Sequence, residues 1–157
     1  MVRQNQRGTF FACGGQNPMG EEKRPSILVV DDEAAVRELL KLHLAGAGYD
    51  VKVADDAIVA GRSVMQAPPD LMVVDVAMPY LDGVDFVTAL KADTTMPQVT
   101  VVFISGNAEV LERARRLGAP CLKKPFSADE LLEVVRRELM LRPPTRRARL
   151  DYLSAST

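Results

Sequence analysis

Cysteine, histidine and long apolar runs are scarce in this 157-residue chain, and each scarcity closes off a class of protein. The two cysteines, Cys13 and Cys121, stand far apart and fit no zinc or redox spacing, so no disulfide framework organises the fold. A single histidine, His43, leaves no ordinary ligand set for zinc. No stretch approaches the roughly 18 apolar residues needed to span a bilayer. The run Phe10–Cys13 is too short for the core of a signal peptide. The chain therefore reads as cytoplasmic, with no membrane partner. No GxxxxGK[ST] segment occurs, which disfavours nucleoside triphosphate binding through a phosphate loop. No internal period marks a repeat array.

Net charge is also nearly absent, at -1, but it is unevenly placed. Residues 1–24 carry +2 and residues 142–157 carry +3, which leaves -6 on residues 25–141. An acidic body with basic ends is a poor DNA-binding surface, and the segment after Pro144 is too short for a helix-turn-helix module. Three parts follow. Residues 1–24, rich in Gln, Asn and Gly, read as a disordered leader in which Met19 is an alternative start; residues 25–141 form one domain; residues 142–157 form a short basic tail.

Within the middle segment, short apolar runs alternate with helical patterns. Ile27-Leu28-Val29-Val30 and Leu71-Met72-Val73-Val74 are continuous apolar runs, each ending in aspartate, as expected of strands buried on both faces. Val99–Ile104 is a further strand ending at Ser105, Tyr49–Ala54 alternates weakly, and Cys121-Leu122-Lys123 is a short fifth strand. Between them, Val36, Leu39, Leu40, His43, Leu44 and Ala47 mark the apolar stripe of a first helix. Residues 56–66, 84–91 and 108–117 supply three more helices. Ser127, with Glu130 three residues on, caps a last helix running to about Leu141, where Pro143-Pro144 ends it. This order predicts an α/β fold, a doubly wound five-stranded parallel sheet with right-handed crossovers.

Ligands of such sheets gather at the carboxyl ends of the strands. Asp31, Asp32, Asp75 and Ser105 all fall there, and Lys123-Lys124 follows the fifth strand. Converging carboxylates repel unless a cation sits among them. An all-oxygen donor set suits Mg²⁺, or Mn²⁺. A metal, a lysine and a hydroxyl around a carboxylate form a site for a phosphoryl group, and Asp75, the central carboxylate, is the best nucleophile. Taken singly, each residue has a plainer explanation: Asp31-Asp32-Glu33 as a helix cap, Ser105 as a cap, and Lys123-Lys124 as solvated charge. Their joint occurrence after strands one, three, four and five is much more specific.

The motifs ILVVDDE (27–33), DVAMPYLDG (75–83), FISG (103–106) and KPF (124–126) resemble those of the receiver domain of bacterial two-component response regulators, over about residues 25–141. The resemblance implies a flavodoxin-like sheet of order 2-1-3-4-5. It further implies that Asp75 accepts a phosphoryl group from a histidine kinase or phosphotransfer protein. Asp32 would ligate Mg²⁺ directly, Asp31 would help through water, and the Ala77 carbonyl would complete the protein ligands. Lys124 would pair with the acyl phosphate, and Ser105 would move toward it. Two departures stand out: Cys121 occupies the place usually held by an aromatic ring, and the stretch from Ser105 to Lys124 is short for the family.

The implied function is that of a single-domain, chemotaxis-regulator-like switch. It would catalyse its own phosphorylation and dephosphorylation without being a turnover enzyme, and would act through an output protein the sequence does not name. Rival readings are a phosphorylation-independent interaction module, a phosphate sink for a shared kinase, and an aspartyl-nucleophile phosphatase. The last usually has two aspartates one residue apart and a cap insertion, which this chain lacks. Homodimerisation is compatible with the sequence but not specified by it. His43 and the methionines read as structural, and Cys121 as a packing residue rather than a redox sensor.

Overall fold

Five strands and five helices alternate strictly along the part of the chain that the computed structural model describes, residues 23–141. The leader up to residue 22, with Cys13 and Met19, and the tail from residue 142, with Pro143-Pro144, lie outside the described residues. The elements are β1 (Ser26–Val30), α1 (Ala34–Gly46), β2 (Asp50–Ala54), α2 (Ala57–Gln66), β3 (Leu71–Asp75), α3 (Gly83–Ala92), β4 (Thr100–Ser105), α4 (Ala108–Arg115), β5 (Cys121–Lys123) and α5 (Ala128–Leu141). All strand pairs are parallel, as the sequence pattern predicts, and the sheet order is β2-β1-β3-β4-β5, as the resemblance implies.

The apolar runs sort themselves by the two-residue period of a strand. Leu28, Val30, Met72, Val74, Val101 and Phe103 point to one face, where α2, α3 and α4 cover them through Ala60, Val64, Val87 and Ala114. Ile27, Val29, Leu71, Val73, Val102 and Ile104 point to the other, against Leu40 and Leu44 of α1 and Leu131 and Val135 of α5. Both faces are dry, so β1, β3 and β4 must be apolar except at their ends. The edge strand β2 instead exposes Asp50 and Lys52 and alternates.

Four of the five helix starts carry side-chain caps, α1 being the exception. Asp56 accepts from the Val59 amide at 2.7 Å and Asp82 from the Asp85 amide at 2.8 Å. Ser127 and Glu130 form the reciprocal capping box expected from their spacing, at 3.1 and 2.7 Å. Some boundaries differ from expectation. Leu39 is 54% exposed and does not join the α1 stripe, because it stands about 100° around the helix from Leu40. Ala47 is the exposed C-cap of α1 rather than part of its stripe. Helix α4 stops at Arg115, two residues early, before Gly118 at φ +73°.

Registers align the strand ends. Val30 of β1 lies beside Val74 of β3, Asp75 beside Ile104 of β4, and Ser105 beside Lys123 of β5. Gly83, which opens α3, packs on this edge: a Cβ there would stand 2.3 Å from the Asp75 carbonyl oxygen and 2.8 Å from Val74 Cγ1. The glycine is required by that close approach. Gly83→Ala is expected to destabilise the fold by about 1–3 kcal/mol, the usual cost of overpacking, and to lower the urea midpoint. Ala at Gly46, with nothing within 4 Å of the added Cβ, serves as the control and should leave the midpoint unchanged or raise it.

Candidate functional site

Asp31, Asp32 and Asp75 are brought together at the carboxyl edge of β1 and β3, one oxygen from each lying within 4.8 Å of the others. Asp31 extends the β1 ladder by one residue, its amide donating to the Ala54 carbonyl at 3.2 Å. Its side chain is fully buried and accepts from the Glu33 amide at 2.9 Å and from Lys124 Nζ at 3.0 Å. Asp32, the next residue, turns outward and is exposed. Asp75 is 3% exposed; it accepts from the Ala77 amide at 3.2 Å and lies 3.6 Å from Lys124 Nζ.

These contacts bear on the plainer explanation of each residue, as a cap or as solvated charge. Glu33 takes the N-cap position of α1 but makes no side-chain cap bond, and the first turn holds no acid. Asp31-Asp32-Glu33 is therefore not a capping motif. Ser105, 1% exposed, is not the cap of α4 either; that role falls to Asn107, whose side chain accepts from the Glu109 and Val110 amides at 2.9 and 3.3 Å. The Ser105 hydroxyl accepts from the Asn107 amide at 3.1 Å, and its carbonyl accepts from the Lys124 amide at 2.9 Å. Lys124 is paired and largely buried rather than solvated, whereas Lys123 is exposed.

Burial, followed by the charge of Asp31, raises the Asp75 carboxyl above its ordinary value; Lys124 and the Ala77 amide oppose the rise and Asp32 adds to it. For Lys124, burial is the strongest single influence and lowers its basicity. The bond to Asp31 and the charges of Asp75, Asp31 and Glu33 together outweigh it, and the ammonium is held more firmly protonated than usual. The donors are all oxygen, two of the three carboxylates are buried, and one ammonium does not balance three anions. That set fits a hard divalent cation.

Three features of this region escaped sequence reasoning. Arg37 donates to the Asp31 carbonyl at 2.7 Å, one helical turn after the acidic cluster. Tyr80, in the loop after β3, is fully exposed with φ +69°, a backbone conformation rare for an aromatic residue. Arg113 of α4 bonds both Asp82 and Asp85 at the start of α3; no local signal connects residues some thirty positions apart. A cavity of about 140 Å³ at the opposite end of the sheet, lined by Lys23, Asp50, Lys52 and Ser63 among others, contains none of the clustered carboxylates.

Such a sheet with this acidic edge defines a receiver domain, and the comparison with known proteins agrees. Residues 27–136 match the response regulator receiver domain model, and the chain belongs to that family. Its members are phosphoacceptor switches rather than turnover enzymes, and bind Mg²⁺ at an acidic cluster. The chain is 34% identical over 116 residues to the DNA-binding response regulator MtrA of Mycobacterium tuberculosis, covering 74% of this chain and 51% of that protein. It is 37% identical over 121 residues to the response regulator MprA of Mycobacterium leprae, covering 75% and 52%. This chain thus spans about half the length of the curated relatives it matches. Among solved structures, the receiver domain of NtrX from Brucella abortus superposes with a TM-score of 0.68 at 34% identity, covering 74% of this chain and 99% of that one. The chemotaxis protein CheY4 of Vibrio cholerae gives 0.66 at 28%, covering 73% and 98%.

The raised Asp75 carboxyl has a consequence for stability. A group that binds its proton more tightly when folded destabilises the fold as pH rises from its unfolded value, 3.8, through the folded one, and the whole cost remains above that. Asp75→Asn removes it. In metal-free buffer the variant should unfold at a higher urea concentration than wild type at neutral pH, and the gap should close as pH falls toward 3.8.

Proposed function

We propose that the chain is a Mg²⁺-dependent phosphoacceptor switch in which Asp75 takes a phosphoryl group from the phosphohistidine of a histidine kinase or phosphotransfer protein. The observation that carries this reading is the Lys124 ammonium standing 3.0 Å from Asp31 and 3.6 Å from Asp75 within a cluster of three carboxylates. An Asp75 carboxylate oxygen attacks phosphorus and forms the O–P bond, while the N–P bond breaks and its electron pair returns to the imidazole of the partner. Lys124 offsets charge on the phosphoryl oxygens. Ser105 keeps its own hydroxyl proton for donation, since its oxygen serves as the acceptor for Asn107. Asp31, Asp32, Asp75 and the Ala77 carbonyl are the groups that would hold Mg²⁺, which supplies positive charge to the transferring group.

The acyl phosphate adds negative charge to a buried edge and shifts the balance between two arrangements of Ser105 and the neighbouring loops. Output then passes through a protein partner. The DNA-binding activity of the relatives belongs to those longer proteins, and the described residues offer no such module. Among the described residues no helix is long and apolar enough to cross a membrane, and we place the protein in the cytoplasm, where a kinase would reach it.

Intact-mass analysis with Mg²⁺ and acetyl phosphate tests the chemistry. Wild type should gain one adduct of about 80 Da, a single phosphoryl group. Asp75→Ala or removal of Mg²⁺ should abolish it, and Lys124→Met should slow uptake by roughly tenfold or more. An adduct that persists in Asp75→Ala would refute the assignment. No adduct on folded wild type would leave a phosphorylation-independent interaction module as the better reading. Mg²⁺ alone should raise the thermal midpoint of wild type by mass action, an effect lost in Asp32→Ala.

A further inference from the structure

Arg113 reaches from the last turn of α4 to the beginning of α3. Its two terminal nitrogens hold different carboxylates, Nη1 on Asp82 Oδ2 at 2.5 Å and Nη2 on Asp85 Oδ1. Asp82 is already committed on its other oxygen, which caps α3 by accepting from the Asp85 amide. Burial pulls the Asp82 carboxyl upward, but the Asp85 amide and Arg113 outweigh it and hold it below the usual range. The next residue is Gly83, whose amide donates to the Val76 carbonyl at 3.0 Å and whose Cα packs against the Asp75 carbonyl. Val76 in turn donates to Ile104 of β4 at 3.0 Å. A continuous set of contacts thus runs from the Arg113 guanidinium through Asp82 and Gly83 to the backbone of Asp75.

We infer that Arg113 is a positioning residue for Asp75, fixing the loop from Val76 to Asp82 by bridging the first turn of α3 to α4. The inference rests on the phosphoacceptor reading for its effect on reactivity, while its effect on the loop is independent of that reading. Arg113 and its partners are partly exposed, the side chains being 48%, 27% and 53% accessible, so each ion pair contributes modestly and is screened by salt. A fork held on two carboxylates restricts orientation more than a single pair does, and lysine, a point charge, cannot reproduce it.

The test compares the full chain with Arg113→Gln and Arg113→Lys. In Arg113→Gln at low salt, the Gly83 and Asp85 amides should exchange with solvent about two- to fivefold faster, the range exposed ion pairs support. The Val73 and Val102 amides should be unchanged, showing that the sheet is intact. Wild type at high salt should approach the variant, and Arg113→Lys should fall between. With acetyl phosphate and Mg²⁺, the maximal uptake rate should drop by a similar factor while the half-saturating concentration stays constant. Asp82→Asn, which keeps a good cap, should add little on top of Arg113→Gln, because both break the same link. Unchanged Gly83 and Asp85 exchange in Arg113→Gln would overturn the coupling, whether or not the site takes phosphate. Faster exchange with no adduct on wild type would instead refute the phosphoacceptor reading and leave the coupling supported.

Discussion

Three carboxylates within 4.8 Å of one another, two of them buried, repel strongly enough that the edge of the sheet depends on the ammonium of Lys124. Most of the local structure serves that one pairing. Lys124 follows β5 and Asp31 follows β1, three strand spacings away, a distance of about 14 Å. The lysine side chain has to lie across the ends of β4 and β3 to reach its partner, and this crossing brings it beside Asp75. Its backbone is anchored at the start of the reach by the hydrogen bond to the Ser105 carbonyl. Removing the cation would leave Asp31 buried with an amide as its remaining side-chain partner, a costly state for a carboxylate.

On the phosphoacceptor reading, the same crowding would make the site reactive rather than merely charged. Asp75 is made reluctant to ionise by burial and by Asp31, so any cation or transferred group that relieves the repulsion is bound with the stored cost as a gain. Asp31 and Asp32 differ in exposure. Asp31 continues the buried course of β1 and faces the lysine, while Asp32 turns to solvent, from which a hydrated cation would arrive. Adjacent residues with the same chemistry differ in exposure because the chain leaves the sheet edge after Asp31.

How much of this was legible in the sequence follows from the range of each interaction. The parallel sheet was readable because strands covered on both faces must be continuously apolar, and β1, β3 and β4 are. The polar residues that end those strands were then conspicuous, and topology alone carried them to one edge. Leu39 misled because an apolar residue beside a stripe looks like a member of it, although the helical period rotates it away from Leu40. Gly83 was visible as the end of a motif, but the reason for glycine, the approach of its Cα to the Asp75 carbonyl, exists only in three dimensions. Arg113 was hidden for a related cause. Three arginines lie close together in Glu112-Arg113-Ala114-Arg115-Arg116, and nothing local distinguishes the one that faces Asp82 and Asp85 from those that face water or Glu112.

Helix α4 is where the departures from the family pattern converge. Cys121, in place of a ring, is half-buried with its sulfur 3.5 Å from the Ala119 carbonyl and 3.7 Å from that of Leu111 in α4. Burial pushes the thiol up, Arg115 opposes and Glu112 adds, so it remains protonated at neutral pH and is poorly suited to redox sensing. No aromatic side chain stands at this position to move inward if Ser105 were drawn toward a phosphoryl group. The connection that remains is through the backbone. Ser105 Oγ accepts from the Asn107 amide, and Asn107 caps α4 by accepting from Glu109 and Val110. Any displacement of the Ser105 hydroxyl is therefore felt first at the amide of the residue that holds the start of α4. With Arg113 tying the last turn of this eight-residue helix to α3, and the Cys121 thiol meeting the Leu111 carbonyl, α4 is held at three points. On the phosphoacceptor reading, the N-terminal cap of this short helix, rather than a rotating ring, is where the site and the outer surface would be joined.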